Sequence, residues 1–573
     1  MKSLFDILRF GVSIPFWDEW DFVSAVRELS SGELSWGHAL LLRNGEHQIF
    51  GQIALSLTEW DLSRMHLRAV MVWNWLLSLV FCALVTFILS CERPAKASLV
   101  CFGAGVSFFF LLNPADLQVL LWALPPVYLL LSLGFLLGVC LARSSWPVPT
   151  KIIGLAVLSL LASFTLGNGL LFWVALPCVL LLYEDFSRVR RSRVALLIYL
   201  LLFCAALVCY RLGAAYYARQ TPPPASGSNV LDIALFFLAF TGNFVSLSAS
   251  PQPVLVAQTI GAVIILLFFT GAAIALKLRR TRGDRRAVLV WTYFGVFWFA
   301  TGVLASASRY TFGASYALDA SRYVPAASFF LITALILGAL ALGDLKKALP
   351  RFVFAYSTLI SMVAVILSVA AFCRFTQTRA AHELMAYSRY QELHGVIAAD
   401  ASGILQLAAL HNIFPHEDFA EFKKDVRFLS NRHWLHPALW DERFLLGLGR
   451  QTPNPACGSV DSVQSTDASL QFTGWAYLPW RSQRAHGILI VAFQNGTDPQ
   501  LLGVAFPTKA RPDVASSLGT QEALWSGWQV EVPHEALHGR GTIVQAFSYD
   551  AETGRACELA GGRSVSTLSG SAQ

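Results

Sequence analysis

Long apolar runs broken by short charged clusters fill the first two thirds of the chain, and short alternating runs fill roughly its last hundred residues. A helix crosses a bilayer with about 20 mostly apolar residues, within a range of about 17 to 25, and shorter runs recruit their flanks. Ten stretches fit: Val70–Leu89, Ser98–Leu112, Val119–Leu141, Ile152–Leu166, Leu170–Tyr183, Val194–Leu212, Val254–Leu276, Val288–Ala305, Ala326–Gly343 and Phe352–Phe372. Only Gly167, Asn168 and Gly169 lie between the fourth and fifth, which predicts a tight hairpin. Val230–Ser248 is apolar too, but counting it as a span would invert every later loop. The prolines bracketing it, Pro222–Pro224 and Pro251 with Pro253, predict a re-entrant or interfacial helix instead.

Charge adds orientation. Short cytoplasmic loops carry the excess of Lys and Arg. Arg93/Lys96, Arg143/Lys151, Arg188–Arg193, Lys277–Arg286 and Lys346–Arg351 alternate along the chain with loops poor in basic residues, so these five are expected inside. The loops near 113–118, 167–168, 214–253 and 306–325, and everything after Arg374, are expected outside. The segment 1–68 is then a first extracytoplasmic segment. Nothing before Val70 is apolar enough to carry it across, so an upstream helix is expected; insertion of Leu4–Phe16 as a short helix is the alternative. No cleavable signal peptide is evident.

The transmembrane part is expected over 69–374, followed by a helical linker region over 375–455 with aromatic and His residues. The runs LQFTGWAYL, GILIVAF, SGWQVEVP and GTIVQAFSYD within 456–563 alternate between turn-forming stretches and predict a β-sandwich, with 564–573 as a disordered tail. The fold class is thus a polytopic α-helical membrane protein, with about ten or eleven transmembrane helices, plus a C-terminal extracytoplasmic β-sandwich. There is no internal repeat.

Composition agrees: 55% of the 573 residues are hydrophobic and 14% charged, far from the soluble average of about 25% charged. The net charge of +7 sits in the loop clusters and reads as topology, not as a nucleic-acid surface. Eight of the ten cysteines lie in or beside apolar runs, where they behave as small hydrophobes. The other two, Cys457 and Cys557, flank the strand region and can pair in an oxidising compartment if their geometry allows a bridge.

Chemistry-bearing residues concentrate in the first segment. Asp18, Glu19 and Asp21 lie around Trp17 and Trp20, and Glu46 with His47 follows about one short helix later. The strings PFWDEWD and NGEHQI resemble a PxWDxWD…NEHR pattern of bacterial integral-membrane glycosyltransferases of the C superfamily, over about Pro15–Arg374. That resemblance implies a polyprenyl-phosphate sugar as donor and an acidic motif in the first external loop. The chain departs from the pattern in lacking a first helix and in having Gln48 where Arg is expected, and Gln offers no cationic fork for phosphate. Such transfer needs a base for the acceptor hydroxyl and donors for the departing phosphate. Asp18 or Glu19 suits the base in a single inverting displacement, with Asp21 beside them; His47 and Glu46 suit acceptor orientation or proton transfer. Arg309 and Arg322 are nearly the only basic residues in the later external loops, and with Tyr323 they suit phosphate binding.

Plainer readings stand beside these. The acidic Trp-rich segment fits an interfacial helix, Glu46 and His47 a solvated face, Arg309 and Arg322 pairing with Asp319 or lipid headgroups, and Trp475, Trp480, Trp525 and Trp528 strand core instead of sugar stacking. The tail resembles small sandwich modules appended to bacterial cell-surface polysaccharide proteins, through its GWA strand, Arg511–Ala515 turn and SGW strand, which implies binding or scaffolding. No zinc spacing, P-loop or Rossmann fingerprint is present. No cofactor is fixed, and a divalent cation is compatible with the chemistry. The expected function is transfer of a sugar to a lipid-linked or cell-surface glycan at a bacterial cytoplasmic membrane, with membrane lipid as environment. A non-enzymatic component of polysaccharide assembly or export is the alternative; a transporter is disfavoured because few ionisable residues lie mid-span.

Overall fold

The computed structural model describes residues 2–44, 47–91, 97–111, 120–123, 126–217, 229–245, 252–279, 282–348, 393, 419–436, 442–466, 468–493, 499–536, 542–561 and 563–565. The chain divides into two compact units, one comprising Met1–Gly11, Glu28–Asp61 and Arg68–His382, the other Val12–Arg27, Leu62–Leu67 and Glu383–Gln573.

The first unit is helical. Among the described residues five helical stretches are long and apolar enough to cross a membrane: Leu67–Cys91, Arg193–Gly213, Pro253–Leu278, Arg285–Phe312 and Val324–Leu345. Shorter apolar helical stretches cover Leu99–Leu111, Val127–Arg143, Val148–Ser163, Gly167–Tyr183 and Val230–Gly242. These helices make the chain a multi-pass membrane protein. Phe352–Phe372 lies outside the described residues. Within the run expected from Val119 a helix begins at Val127, where Pro126 at the N-cap has no N–H to continue it backwards. Val148–Ser163 and Phe172–Tyr183 are joined through a short 3₁₀ turn, Gly167–Leu171. A Cβ on Gly169 would come within 1.9 Å of the Ala162 carbonyl, so only glycine lets that turn close.

Val324–Ala348 is the most enclosed of the long helices and packs against Pro253–Leu278, Arg282–Arg309 and Ala97–Leu111. In lipid, helices gain little from burying apolar surface and associate through close packing of small residues. Val230–Gly242 does this against Pro253–Leu278, where a Cβ on Gly242 would meet the Ala257 carbonyl at 2.0 Å and one on Gly261 the Leu238 carbonyl at 2.1 Å. At 13 residues this helix spans about 20 Å, short of the roughly 30 Å hydrocarbon core.

Several of the basic helix ends are tied to one another. Arg279 pairs with Asp344 at 2.7 Å, and the Arg286 guanidinium lies 4.8 Å from the Tyr183 ring centroid. Lys151, counted from sequence among the loop cations, is instead buried; its Nζ donates to the Ala142 carbonyl at 2.9 Å and pairs with Glu184 at 2.7 Å. A buried ammonium is tolerable only when paired in this way.

The second unit is built on two antiparallel sheets. In chain order its strands are β3 (Gly458–Ser465), β4 (Ser469–Leu478), β5 (Gln483–Arg484), β6 (Gly487–Phe493), β7 (Gln500–Ala505), β8 (Gly527–Pro533), β9 (Thr542–Asp550), β10 (Arg555–Glu558) and β11 (Arg563–Val565), β1 and β2 being the Arg43–Asn44 and His47–Gln48 pair of the first unit. One sheet runs β3-β4-β5 with β8 also on β4, the other β10-β9-β6-β7 with β11 also on β9. Leu470, Phe472 and Ala476 of β4 alternate inward and share a core with Ile488, Ile490, Val544 and Ala546, which makes the two sheets a sandwich. Strand β6 is apolar on both faces because its other side is covered too: Leu489, Val491, Phe547 and Tyr549 are buried, and Phe444 of the Glu442–Leu448 helix stacks edge-on to Tyr549 at 6.0 Å.

Two boundaries differ from expectation. The segment 1–68 is not one body, since Val12–Arg27 and Leu62–Leu67 belong with the sheet unit, as do the described residues of the expected 375–455 linker region. The reason is burial: Trp20, Phe22 and Val23 of the Asp18–Ser31 helix and Leu448 are all buried, so each needs a packed partner. Residues 564 and 565 are in strand β11, paired on β9, so order extends into the expected tail; 566–573 lie outside the described residues.

Candidate functional site

In the first unit the Arg282–Arg309 helix ends at Arg309, and the 3₁₀ turn Tyr310–Phe312 leads to Gly313 at φ 82°, a left-handed conformation suited to glycine. One turn of helix, Tyr316–Asp319, and a second 3₁₀ turn, Ser321–Tyr323, return the chain into Val324–Ala348. Buried Asn243 steadies this connection by donating to the Ala317 carbonyl at 3.2 Å.

Arg322 donates through Nη2 to the Tyr316 hydroxyl at 2.6 Å, and its guanidinium lies 5.8 and 5.5 Å from the Tyr316 and Tyr323 ring centroids. Tyr323 is 4% exposed and packs on Phe240 at 5.3 Å. Burial pushes its phenol above the ordinary value, while the charges of Arg322 and Arg309 pull the other way. Arg309 and Arg322 therefore act on one phenol, which stays protonated and able to donate. Two guanidinium groups with phenol hydroxyls suit an oxyanion such as a phosphate. Tyr316 was not singled out from sequence, although its spacing of six residues before Arg322 was visible. Asp319 is exposed.

The acidic motif belongs to the second unit. Trp17 has φ 52°, and the helix Asp18–Ser31 starts immediately after it. All three acids fall in the first turn, where the helix dipole favours negative charge. Glu19 is 1% exposed, and its Oε2 accepts the Phe16 backbone N–H at 2.7 Å, the reciprocal half of a capping box. Asp18 and Asp21 are half-buried. The helix is not a free interfacial one. Trp20 meets Phe422 edge-on at 4.7 Å, Arg27 Nε pairs with fully buried Asp425 at 2.7 Å, and Arg27 also pairs with Glu421. Ser24 donates to the second Asp425 oxygen at 2.5 Å.

Glu46 and the side chain of His47 lie outside the described residues. Their neighbourhood is a short antiparallel pair in the first unit, Arg43 opposite Gln48 and Asn44 opposite His47. Gln48 is buried and donates through Nε2 to the Cys209 carbonyl at 2.7 Å, so it braces the pair on the Arg193–Tyr217 helix. The Arg43 guanidinium lies 5.6 Å from the Tyr210 ring centroid. Arg43 is a basic group missed from sequence; the Asn44-Gly45 dipeptide after it is the hairpin signal that marks the place.

In the sheet unit Cys457 and Cys557 form a disulfide with Cα atoms 6.2 Å apart. Trp528 is core, filling the space over Gly474 on the neighbouring strand, and Trp480 donates to Asp550 at 2.8 Å, whereas Trp525 is exposed. Arg511 pairs with Asp461 at 2.6 Å and Asp513 at 2.7 Å, so the Arg511–Ala515 turn is a clamp within the fold. Asp550 is buried. Burial alone would raise its carboxyl, but hydrogen bonds centred on His486, Trp480 and Thr553 hold it well below the usual carboxylate range. His486 Nδ1 lies 3.3 Å from the Asp550 carboxylate and 3.0 Å from the Ala551 backbone N, and Arg481 pairs with the same carboxylate at 3.3 Å.

Among the described residues no three His, Cys, Asp or Glu side chains are grouped to hold a metal ion. Compared with family models, curated proteins and solved structures, the chain matches none.

Proposed function

We propose that the chain is a membrane glycosyltransferase that moves a sugar from a polyprenyl-phosphate donor to a lipid-linked or cell-surface glycan, on the extracytoplasmic face of a bacterial cytoplasmic membrane. The observation that carries this reading is the Arg322 guanidinium held on the Tyr316 hydroxyl and beside the buried Tyr323 phenol, which also feels the charge of Arg309, at the ends of two apolar helices. There the guanidinium groups would take the donor phosphate and stabilise it as it leaves. Asp18 or Glu19 is the candidate for accepting the acceptor's proton, with Asp21 beside them. The disulfide supports an oxidising, extracytoplasmic setting for the sheet unit.

The test is a glycan profile of the host's surface polysaccharides in a deletion strain complemented with wild type, Asp18→Asn, or Arg309→Ala/Arg322→Ala. Loss of one sugar restored by wild type alone is the expected result; full restoration by the Arg variant refutes the reading.

One observation favours a non-enzymatic assembly or export partner. The helix carrying the acids is a packed element, with Glu19 as its cap and Arg27 in an ion pair. That reading expects the acid and Arg variants to complement, and deletion of the sheet region not to.

A further inference from the structure

The Phe186–Arg191 helix joins two apolar helices, Phe172–Tyr183 before it and Arg193–Tyr217 after it, at one end of the first unit's bundle. Half-buried Val189 packs on the membrane core and fixes the short helix there, while Phe186 is 67% exposed. Residues 188–193 include Arg188, Arg190, Arg191 and Arg193, all exposed. Among the described residues none of these four guanidinium groups has an ion pair, a hydrogen bond or a ring contact.

Other basic groups of the unit are tied within it: Lys151 to Glu184, Arg279 to Asp344, and Arg286 over the Tyr183 ring. Charge that only orients the chain can be neutralised in this way, but four unpaired guanidinium groups in six residues repel one another and attract a counter-charge. Glu184 is already taken by Lys151, and Asp185, at the N-cap, offsets at most one of the four. A surplus of three positive charges faces outward.

The following helix shows what lies against that surplus. Arg193–Gly213 is the least enclosed of the five long helices. Arg193, Val194, Leu197, Leu200 and Leu201 are exposed along one side of it, at the spacing of a single helix face. The apolar part of such a stripe on a membrane helix faces acyl chains. Arg193 heads the stripe, so the cluster sits where acyl chains give way to headgroups, and exposed Phe186 adds the apolar group that an interfacial basic segment buries among them.

We propose that Arg188, Arg190, Arg191 and Arg193, with Phe186 as an apolar anchor, form a binding surface for the headgroups of anionic phospholipids. Guanidinium groups donate paired N–H bonds to a lipid phosphate, and the negative charge of an anionic leaflet answers the surplus here. The surface is independent of the transferase reading. Arg286, over Tyr183, lies near the start of the helix that ends at Arg309, so about 35 Å of helix separates this end of the bundle from the Tyr323 turn.

The experiment is native mass spectrometry of the full chain, titrated with phosphatidylglycerol or with phosphatidylcholine of the same acyl chains, at low and high ionic strength. Wild type is expected to bind its first phosphatidylglycerol more tightly than its first phosphatidylcholine, and salt should weaken the difference because the arginines are exposed. Each arginine at a charged membrane surface contributes about fivefold, so Arg188→Gln/Arg190→Gln/Arg191→Gln should lose about a hundredfold of the preference. Arg188→Lys/Arg190→Lys/Arg191→Lys, which keeps the charge, should retain most of it. Equal binding of the two lipids by wild type overturns the proposal without any variant and leaves an acidic protein segment as the occupant. A preference that survives in the glutamine variant also overturns it, by placing anionic lipid elsewhere on the bundle. If the triple variant does not insert, Arg190→Gln and Arg191→Gln give the same reading singly, at about fivefold each.

Discussion

The ion pair between Arg27 and Asp425 allows a quantitative test of how the acidic motif is held. Asp425 is fully buried, Arg27 is 11% exposed, and two further groups depend on the same carboxylate network, Ser24 and, through Arg27, Glu421. Replacing Asp425 by Ala takes from the Arg27 guanidinium its buried carboxylate partner and leaves the Ser24 hydroxyl with the Trp20 carbonyl at 3.1 Å. Breaking a buried pair in this way costs about 3–5 kcal/mol, whereas replacing both members by apolar residues of similar volume is close to neutral. Asp425→Ala is therefore expected to raise the local opening equilibrium by about two to four decades, and Arg27→Met/Asp425→Leu by less than about one. Hydrogen exchange of the full chain in nanodiscs reads this on the amides of Asp18–Ser31 and Phe419–Asn431. A change below about tenfold in Asp425→Ala would refute the argument, because the carboxylate would then contribute no more than an exposed pair does.

Other consequences follow from single features. The Cys457–Cys557 bridge closes a sequence separation of 100 residues, so Cys457→Ala/Cys557→Ala should destabilise the sheet unit by about 2–5 kcal/mol, read as earlier cleavage in pulse proteolysis. Asp550 has a carboxyl held below its unfolded value, so it stabilises the fold at pH values above the ordinary carboxylate pKa of about 4, and that contribution is lost as pH falls through its lower folded pKa. Asp550→Asn should flatten the acid limb of a urea-melting pH profile, and an unchanged limb would refute the assignment. Gly261→Leu should separate Val230–Gly242 from Pro253–Leu278, detected as a lower detergent-melting temperature than Gly105→Leu, where nothing lies within 4 Å.

What the residues determine alone is local and periodic. Apolar runs of bilayer length, basic clusters between them, prolines such as Pro126 that break a helix, and the alternation in β4 can all be read along the chain, because they depend on the spacing of side chains on one element. The presence of membrane helices and C-terminal sheets was legible for that reason. The acids at 18, 19 and 21 were visible as a cluster, but not that Glu19 caps its own helix while Arg27 reaches a carboxylate 398 residues away. Arg309 and Arg322 stood out as unexplained cations; the folded turn sets Arg322 on the Tyr316 hydroxyl and puts the buried Tyr323 phenol under the charge of both. Lys151 looked like one more loop charge until Glu184, 33 residues on, was seen to neutralise it. For Arg27 and Lys151 the deciding contact joins residues distant in sequence, and a charge or hydroxyl looks the same along the chain whether its partner is water or a buried side chain. Tertiary structure decides between those two environments, and the cost of burying an unpaired polar group turns that choice into a constraint on the fold.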